Sequence, residues 1–443
     1  MKHRAFLHLS TAIGAMLACH PGAAAAQSAS AAQATATSDG DQGSGIADIV
    51  VTAQRRSESL QKVPIAVAAI DGTALQASGV QGTDSLKVAV PSLDIPKNTG
   101  SASPFIRGIG SRAIGPGVEN PVAVYVDGVY MAAPTSGLLA ITNIDRVEVL
   151  KGPQGTLFGR NATGGLIQII TRTPKDTFAG NASIGYGNYD TLTGDAYLTG
   201  PIAQGVAANI SGYFKTQGNG FGKNLASGKD VNRVIYDFGA RAKLRMELSD
   251  ALSITLSGDY SKQKTNNTAQ RLAIGTAPSF LSGPGAGYAG SPWDIKSEID
   301  PILRYAQGGV SAHINWDLGP VQIASITAYR RGDYHLLLDP ELTATSAIVA
   351  TVNQYDKQFS QELQVFSPTG GKIQYVLGLY YWYADNGYDP FILRLNSFSP
   401  PAPFEKAVTN SRQITRSIAP YAQATAEILP ETHRTPLGGN NGK

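Results

Sequence analysis

The segment YDFGARAKLRME at residues 236–247 decides the fold class, because its side chains alternate in polarity along the chain. One set of alternate positions is apolar and consists of Tyr236, Phe238, Ala240, Ala242, Leu244 and Met246. The other set is mostly charged. A helix returns to one face at every third or fourth residue, whereas a strand does so at every second residue. The segment is therefore predicted to be a β-strand with one apolar and one charged face.

The same alternation recurs after Pro174 and predicts about ten strands in all. Their predicted bounds are 177–189, 192–199, 207–216, 236–247, 251–261, 309–317, 321–331, 355–366, 372–384 and 412–428. Short links at 200–205, 248–250, 318–320 and 367–371 alternate with long links at 217–233, 263–307, 332–354 and 385–411. Outer-membrane barrels show this asymmetry between periplasmic turns and external loops. A soluble β-sandwich also alternates, but it needs apolar facing sheets, so the charged second face favours antiparallel transmembrane β-barrel strands.

Residues 57–175 have a different, mixed pattern. Predicted strands lie at 63–70, 104–106, 122–126, 144–150 and 166–172, and predicted helices lie at 71–78 and 83–89. Asp71 is placed to cap the first of these helices, and the second ends before Pro91. This part of the chain is predicted to be a compact α+β domain.

The N-terminal residues have the composition of an export signal. A charged start, an apolar stretch at 5–18 and the small residues at 24–26 predict a cleaved signal peptide at residues 1–26. A signal anchor and a lipoprotein site at Cys19 are the alternatives. Residues 27–47 are small and polar, which predicts a flexible tether, and residues 48–56 form a short β-prone segment at its end.

Several function classes are disfavoured by composition. Cys19 is the only cysteine, and cleavage after residue 26 would leave none for disulfides or thiolate metal sites. The histidines have no ligand spacing, so neither a metal nor another cofactor is expected. The net charge of +3 gives no reason to expect a nucleic-acid partner. The glycines at 152–165 lack the lysine of a nucleotide-binding loop, and no catalytic set is recognisable.

Four stretches resemble the TonB-dependent outer-membrane receptors. Residues 105–110 (FIRGIG), 124–129 (VYVDGV) and 144–171 resemble the plug domain, and the run Asp48, Ile49, Val50, Val51, Thr52 and Ala53 resembles the TonB box. The resemblance implies an α+β plug domain inside a transmembrane β-barrel of the outer membrane. It also implies TonB, the energy-transducing protein of the inner membrane, as the partner of residues 48–53. An extended apolar segment can bind such a partner by adding a strand to an exposed sheet edge.

The resemblance implies energised uptake of a scarce, bulky ligand, most often a ferric siderophore, with haem, cobalamin or glycans as other options. A signal-transducing receptor and a nonfunctional fragment are the alternative functions, and no enzyme activity is expected. Contacts between plug and barrel are expected from Arg107, Arg146, Glu148 and Lys151. Ligand contacts at the plug apex are expected from Ser101, Ser103, Ile114 and Val118.

The chain departs from the family pattern near its C-terminus. Family barrels have about twenty-two strands, whereas the alternation here predicts about ten between residues 176 and 430. Residues 431–443 form an atypical tail rich in glycine and asparagine. The expectation from this pattern is a truncated receptor that is inactive by itself, because open sheet edges are unfavourable in lipid.

Overall fold

The computed structural model describes residues 50–426 except 53–54, 57, 62, 64, 81, 99–100, 134–142, 160, 272–290, 341, 343–347, 369–370, 372 and 396–404. The predicted signal peptide, the tether, the tail and four residues of the box-like segment 48–56 (Asp48, Ile49, Ala53 and Gln54) lie outside the described residues. Within the described part of the chain, no helix is both long and apolar enough to cross a membrane.

The first half of the described chain forms a small mixed domain. Its elements are β1 (Val50–Val51), β2 (Glu58–Ser59), β3 (Val67–Asp71), α1 (Gly72–Ala77), a 3-10 helix (Thr83–Val88), β4 (Leu93–Asp94), β5 (Lys97–Asn98), β6 (Ser101–Ala102), β7 (Phe105–Ile106), β8 (Val122–Val126), β9 (Val129–Tyr130), β10 (Ile144–Lys151), α2 (Gly155–Phe158) and β11 (Gly165–Thr171). The main sheet has the order β3-β10-β11-β8-β9. Strands β8 and β11 are parallel and the other neighbours are antiparallel. The predicted α+β architecture is confirmed.

Local sequence explains the elements of this domain. The Asp71 carboxylate accepts hydrogen bonds of 2.8 Å from the backbone N–H groups of Thr73 and Ala74, so Asp71 caps α1 as predicted. Strands β10 and β11 are central in the sheet and nearly continuously buried. Their apolar side chains, such as Val147 and Ile169, form the core with residues of α1 and the 3-10 helix.

The second half forms one large antiparallel sheet. Its elements are β12 (Ala179–Gly187), a 3-10 turn (Asn188–Asp190), β13 (Thr191–Ala203), β14 (Val206–Gln217), β15 (Gly222–Lys223), β16 (Asp230–Val231), β17 (Val234–Ser249), β18 (Leu252–Thr265), β19 (Ile302–Asp317), β20 (Gln322–Leu338), β21 (Ile348–Phe366), β22 (Ile373–Leu395), β23 (Lys406–Thr409) and β24 (Gln413–Ala426). The sheet has eleven strands in sequence order, and β23 and β24 both pair with β22. Strands β15 and β16 form a separate two-stranded hairpin.

All ten predicted segments are strands of this sheet, but the strands at its C-terminal side are longer than predicted. Strand β19 begins at Ile302, β20 continues to Leu338, β21 begins at Ile348 and β22 continues to Leu395. The side chains of these extensions do not alternate in polarity, so the sequence pattern does not reveal them. Backbone hydrogen bonds maintain the strands there whatever side chains they carry. The described external links are correspondingly shorter than predicted.

The two faces of the large sheet differ as the alternation predicted. One face, called here the plug face, contacts the mixed domain and carries buried polar residues such as Lys243, Gln358 and Glu362. The opposite face, called the outer face, exposes apolar side chains such as Leu256, Val310 and Leu377. Such an apolar outer surface is typical of a sheet that faces lipid.

Candidate functional site

The box-like segment is docked onto the mixed domain in the described structure. Strand β1 pairs antiparallel with β2 through the partners Val50 and Ser59, and Val51 and Glu58. The Val51 side chain is fully buried in a cluster that includes Leu150 and Leu166. Strand β2 therefore occupies one edge of Val50 and Val51 while the segment stays in this position.

Glu148 anchors the end of this segment. The backbone N–H of Thr52 donates to both carboxylate oxygens of Glu148 at 3.0 Å. Arg146 Nε lies 2.8 Å from the same carboxylate, and Gln168 Nε2 donates to Thr52 Oγ1 at 2.5 Å. Glu148 is fully buried, so its charge is balanced by the donors of Thr52 and Arg146 and not by water.

Arg55 connects the same segment to the large sheet. Its Nη2 lies 3.2 Å from Glu362 Oε1 on β21, and both side chains are buried. The guanidinium carbon also lies 4.3 Å from the centroid of the Phe158 ring and 5.4 Å from that of Tyr125. Tyr421 of β24 donates to Glu362 at 2.6 Å. Burial is the largest influence on Arg55 and by itself would lower its pKa. The charge of Glu362, together with smaller contributions from Tyr125, Tyr421 and Tyr380, outweighs burial and raises the pKa, so Arg55 stays protonated.

Arg56 continues this connection at a turn of the sheet. Its Nη2 donates to the carbonyl of Tyr375 at 2.6 Å and to the Ser367 hydroxyl at 2.9 Å. These two residues flank the link between β21 and β22. Two adjacent arginines thus tie the segment after β1 to two neighbouring strands.

A second connection lies at the turn between β8 and β9. Asp127 has a positive φ of 47° and Gly128 one of 77°, as a tight hairpin requires. The Asp127 carboxylate accepts hydrogen bonds from Thr171, and Lys243 Nζ of β17 lies 3.0 Å from it. Burial would raise the pKa of Asp127, but Lys243, Arg241 and the Thr171 hydrogen bonds outweigh it, and the pKa lies below its ordinary value.

The residues predicted to connect plug and barrel contact other residues of the plug in the described structure. Arg146 and Glu148 pair with each other, and Arg146 also pairs with Asp145. The Arg107 backbone, at a positive φ of 51°, donates to Ser92, and Arg107 lines a cavity of about 300 Å³ together with Arg112. Lys151 lies in β10. Among the described residues these side chains have no recorded contact with the large sheet, and their role there stays a prediction.

The contacts that do join the two parts were not assigned from sequence. Among them are the ion pairs Arg55–Glu362 and Asp127–Lys243 and the hydrogen bonds of Arg56. A signal was available for some of them. The two arginines end the box-like segment 48–56, and Lys243 occupies the charged face of the segment that decided the fold class.

The predicted apex residues differ in accessibility. Ser101 and Ser103 are buried, whereas Ile114 is 44% exposed and Val118 is half-buried. The loop that follows Ile114 approaches the sheet closely. A Cβ on Gly115 would lie 3.3 Å from the Tyr388 hydroxyl, and one on Gly117 would lie 2.5 Å from the Gln413 side chain. Both glycines have positive φ, so only glycine fits there without strain.

Comparisons with known proteins agree with this architecture. The family model "TonB-dependent Receptor Plug Domain" matches residues 59–166. The pesticin receptor of Yersinia pestis is 33% identical over 187 residues, which cover 41% of this chain and 27% of that protein. The rhizobactin receptor of Rhizobium meliloti is 29% identical over 256 residues, covering 51% and 32%. The chain thus matches about a third or less of the length of these curated relatives.

Two solved structures have the same fold. The ferric yersiniabactin uptake receptor FyuA from Yersinia pestis superposes with a TM-score of 0.64 at 18% identity, covering 82% of this chain and 62% of that one. FpvA of P. aeruginosa bound to heterologous pyoverdines gives a TM-score of 0.65 at 14% identity, covering 86% and 52%. The mixed domain therefore corresponds to a plug, and the large sheet corresponds to part of a receptor barrel.

Proposed function

Because this chain belongs to the TonB-dependent receptors of the outer membrane, we propose that it serves the energised uptake of a scarce, bulky ligand, with a ferric siderophore as the ligand class. Two relatives support this class through their names, which describe a rhizobactin receptor and a ferric yersiniabactin uptake receptor. The family consists of transporters and receptors, and not of enzymes.

The observation that carries the proposal is the attachment of the box-like segment to both parts of the protein. Thr52 is held by Glu148 inside the plug, and Arg55 is held by Glu362 on the sheet. A pull on residues 48–53 is thereby transmitted first to the centre of the plug and to its contact with the sheet. TonB is the proposed partner, and it would pair with residues 48–53 by strand addition.

Ligand contacts are proposed at the external end of the plug face. The register of the sheet places four tyrosines on that face, namely Tyr213, Tyr305, Tyr334 and Tyr388. Gly115 of the plug loop lies next to Tyr388. Tyrosines combine a flat apolar ring with a hydroxyl donor, which suits an aromatic or oxygen-rich chelator. Ser101, Ser103, Ile114 and Val118 remain the proposed plug contribution.

The location follows from the same family. The chain is proposed to reach the outer membrane by export with a cleaved signal peptide at residues 1–26. Plug–barrel contacts by Arg107, Arg146, Glu148 and Lys151 are also retained as a proposal.

The test is the substitution Val51→Pro in the full chain. Proline removes the backbone donor of residue 51 and cannot join the middle of a strand ladder, so energy-dependent uptake of radiolabelled ferric siderophores should be lost. Binding of the same ligands to de-energised cells should be unchanged. Val51→Ile is the matched control, because it keeps both the β-propensity and the donor. Unchanged uptake by Val51→Pro would overturn the assignment of residues 48–53.

A further inference from the structure

The outer face of the sheet changes sharply from apolar to basic near its external end. Strand register places Val310, Tyr329, Phe359 and Tyr383 side by side on β19 to β22. Two residues further toward the long links, the same strands carry Gly308, Arg331, Lys357 and Asp385, beside Tyr260 on β18. We call the first set the aromatic row and the second set the first charged row. The aromatic row marks the height of a membrane interface.

The first charged row and the residues beyond it toward the long links line an open cavity of about 660 Å³. Five lysines and arginines face three aspartates among its lining residues, so the cavity carries net positive charge. The cations are Lys262, Arg304, Arg331, Lys357 and Arg412, and the aspartates are Asp333, Asp385 and Asp389. Asp333 and Asp385 are already paired, with Arg331 at 3.1 Å and with Arg412 at 2.8 Å.

Three of the cations form no ion pair within the described chain, although Lys357 lies opposite Asp385 in the register of the sheet. No ion pair within 4 Å involves Lys262, Arg304 or Lys357, although Lys357 Nζ lies 5.3 Å from the centroid of the Tyr355 ring. A cation without a partner is ordinary on a solvated surface, so this observation alone would not define a site. The arrangement of the cations across the strands is more specific.

Like charges are direct cross-strand partners at two places on this face. Arg331 pairs with Lys357 between β20 and β21, and Lys264 pairs with Arg304 between β18 and β19. Partners in these positions have Cβ atoms about 5 Å apart, and like charges there destabilise a sheet. Both pairs lie beyond the aromatic row, whereas the apolar band below it has no such pair among the described strands. Asp333 and Asp385 flank Arg331 and Lys357, whereas the other cross-strand partners of Lys264 and Arg304 are Tyr236 and His335. An anion beside Lys264 and Arg304 would turn the repulsion between them into attraction.

We propose that this cavity binds the phosphate groups of a phosphorylated lipid in the external leaflet of the outer membrane. The choice of an outer-membrane lipid as the ligand rests on the outer-membrane location of the family, but not on the identity of any transported ligand. The acyl chains would lie along the exposed apolar side chains below the aromatic row, such as Val310. Arg304 could hold phosphate oxygens through two parallel donors, while Lys262 and Lys357 supply point charges.

The test compares lipid binding by the full chain, folded in detergent micelles, with binding by the variant Lys262→Gln/Arg304→Gln/Lys357→Gln. The probes are diphosphoryl lipid A, its dephosphorylated form and inorganic phosphate, each detected by native mass spectrometry. A basic residue at an anionic surface contributes about 1 kcal/mol, so the triple variant should bind lipid A about a hundredfold more weakly. The wild type should bind the dephosphorylated form as weakly as the variant binds lipid A.

The control variant Lys175→Gln/Lys223→Gln/Lys296→Gln removes three exposed positive charges outside the cavity and should bind lipid A like the wild type. In micelles without phosphorylated lipid, the cavity variant should unfold at the same or a higher temperature, since it relieves like-charge repulsion.

Equal lipid A binding by the cavity variant would overturn the proposal, as would equal weakening in the control. Binding of inorganic phosphate as tight as that of lipid A would identify a free anion as the ligand and overturn the lipid assignment. If the triple variant fails to fold, Arg304→Gln alone should still weaken lipid A binding about fivefold, and an unchanged affinity would contradict the proposal.

Discussion

Glu148 illustrates how one buried charge can organise a functional segment. Its carboxylate accepts from Thr52 and from Arg146, and the side chain is fully shielded from water. A buried carboxylate is stable only while its donors are present. The contact is therefore specific to the docked position of the box-like segment. If Thr52 leaves, the buried carboxylate of Glu148 loses the backbone and hydroxyl donors of Thr52 and keeps only Arg146.

The substitution Glu148→Ala should release the box-like segment and destabilise the plug. It leaves Thr52 and Arg146 without their acceptor, and each unsatisfied buried group costs about 1 to 3 kcal/mol. Urea unfolding followed by the fluorescence of Trp382, whose ring packs against Tyr130 of the plug, would measure the loss, and limited proteolysis near residue 52 would measure the release. Asp145→Asn is the control, since Asp145 is half-exposed and also pairs with Arg146. A Glu148→Ala protein as stable and as protease-resistant as the control would contradict the anchoring role.

At the scale of single elements, α1 shows how far local sequence decides structure. It has only the residues Gly72–Ala77, too few to be stable as an isolated helix, and it begins with the Asp71 cap. The pKa of Asp71 lies below its ordinary value, mainly because of the hydrogen bond from the Ala74 backbone. Leu75 packs this helix into the plug core.

The substitution Asp71→Ala should lower the free energy of unfolding of the plug by about 1 kcal/mol, because it removes the acceptor for two backbone donors. Asp71→Ser should restore most of the loss, since serine also caps helices. The measurement is chemical denaturation at neutral pH, followed by circular dichroism. If Asp71→Ser were as destabilising as Asp71→Ala, the cap would not be the cause.

At the scale of the whole molecule, two buried ion pairs connect plug and sheet. Arg55 reaches Glu362 on β21, and Asp127 reaches Lys243 on β17. Removing one partner of such a pair leaves an uncompensated buried charge, at a cost of about 3 to 5 kcal/mol. The plug is thus held at two distant points of the sheet, and both ion pairs must be broken before the plug can move away from the sheet.

The Asp127 attachment should be sensitive to acid. The folded-state pKa of Asp127 is below its ordinary value, so its contribution to stability is complete above the unfolded pKa of about 3.9. That contribution is lost as the pH falls through the lower, folded-state pKa. Thermal unfolding between neutral and strongly acidic pH should show a smaller acid-dependent loss in Asp127→Asn than in the wild type. The exposed residue Asp94 provides the control Asp94→Asn, which should follow the wild type, and identical curves for all three proteins would refute the prediction.

The sequence by itself determined the class of structure and most of its elements. Alternation predicted the ten long strands and their two faces, Asp71 predicted the start of α1, and the motifs at 144–171 predicted the plug. These signals are local, since a strand turns alternate side chains to opposite faces wherever it lies. The alternation did not predict the extensions of β19 to β22, because polarity stops alternating where backbone pairing alone maintains the strand.

Only the tertiary structure decided which distant side chains meet. Arg55 and Glu362 belong to different domains, and their contact depends on how the plug docks against β21. The like-charge pairs of the outer face depend on the register between neighbouring strands, which one residue of slippage would reverse. Residue type limits what a side chain can bind, but docking and register fix its partner, and neither is written in the local pattern of the chain.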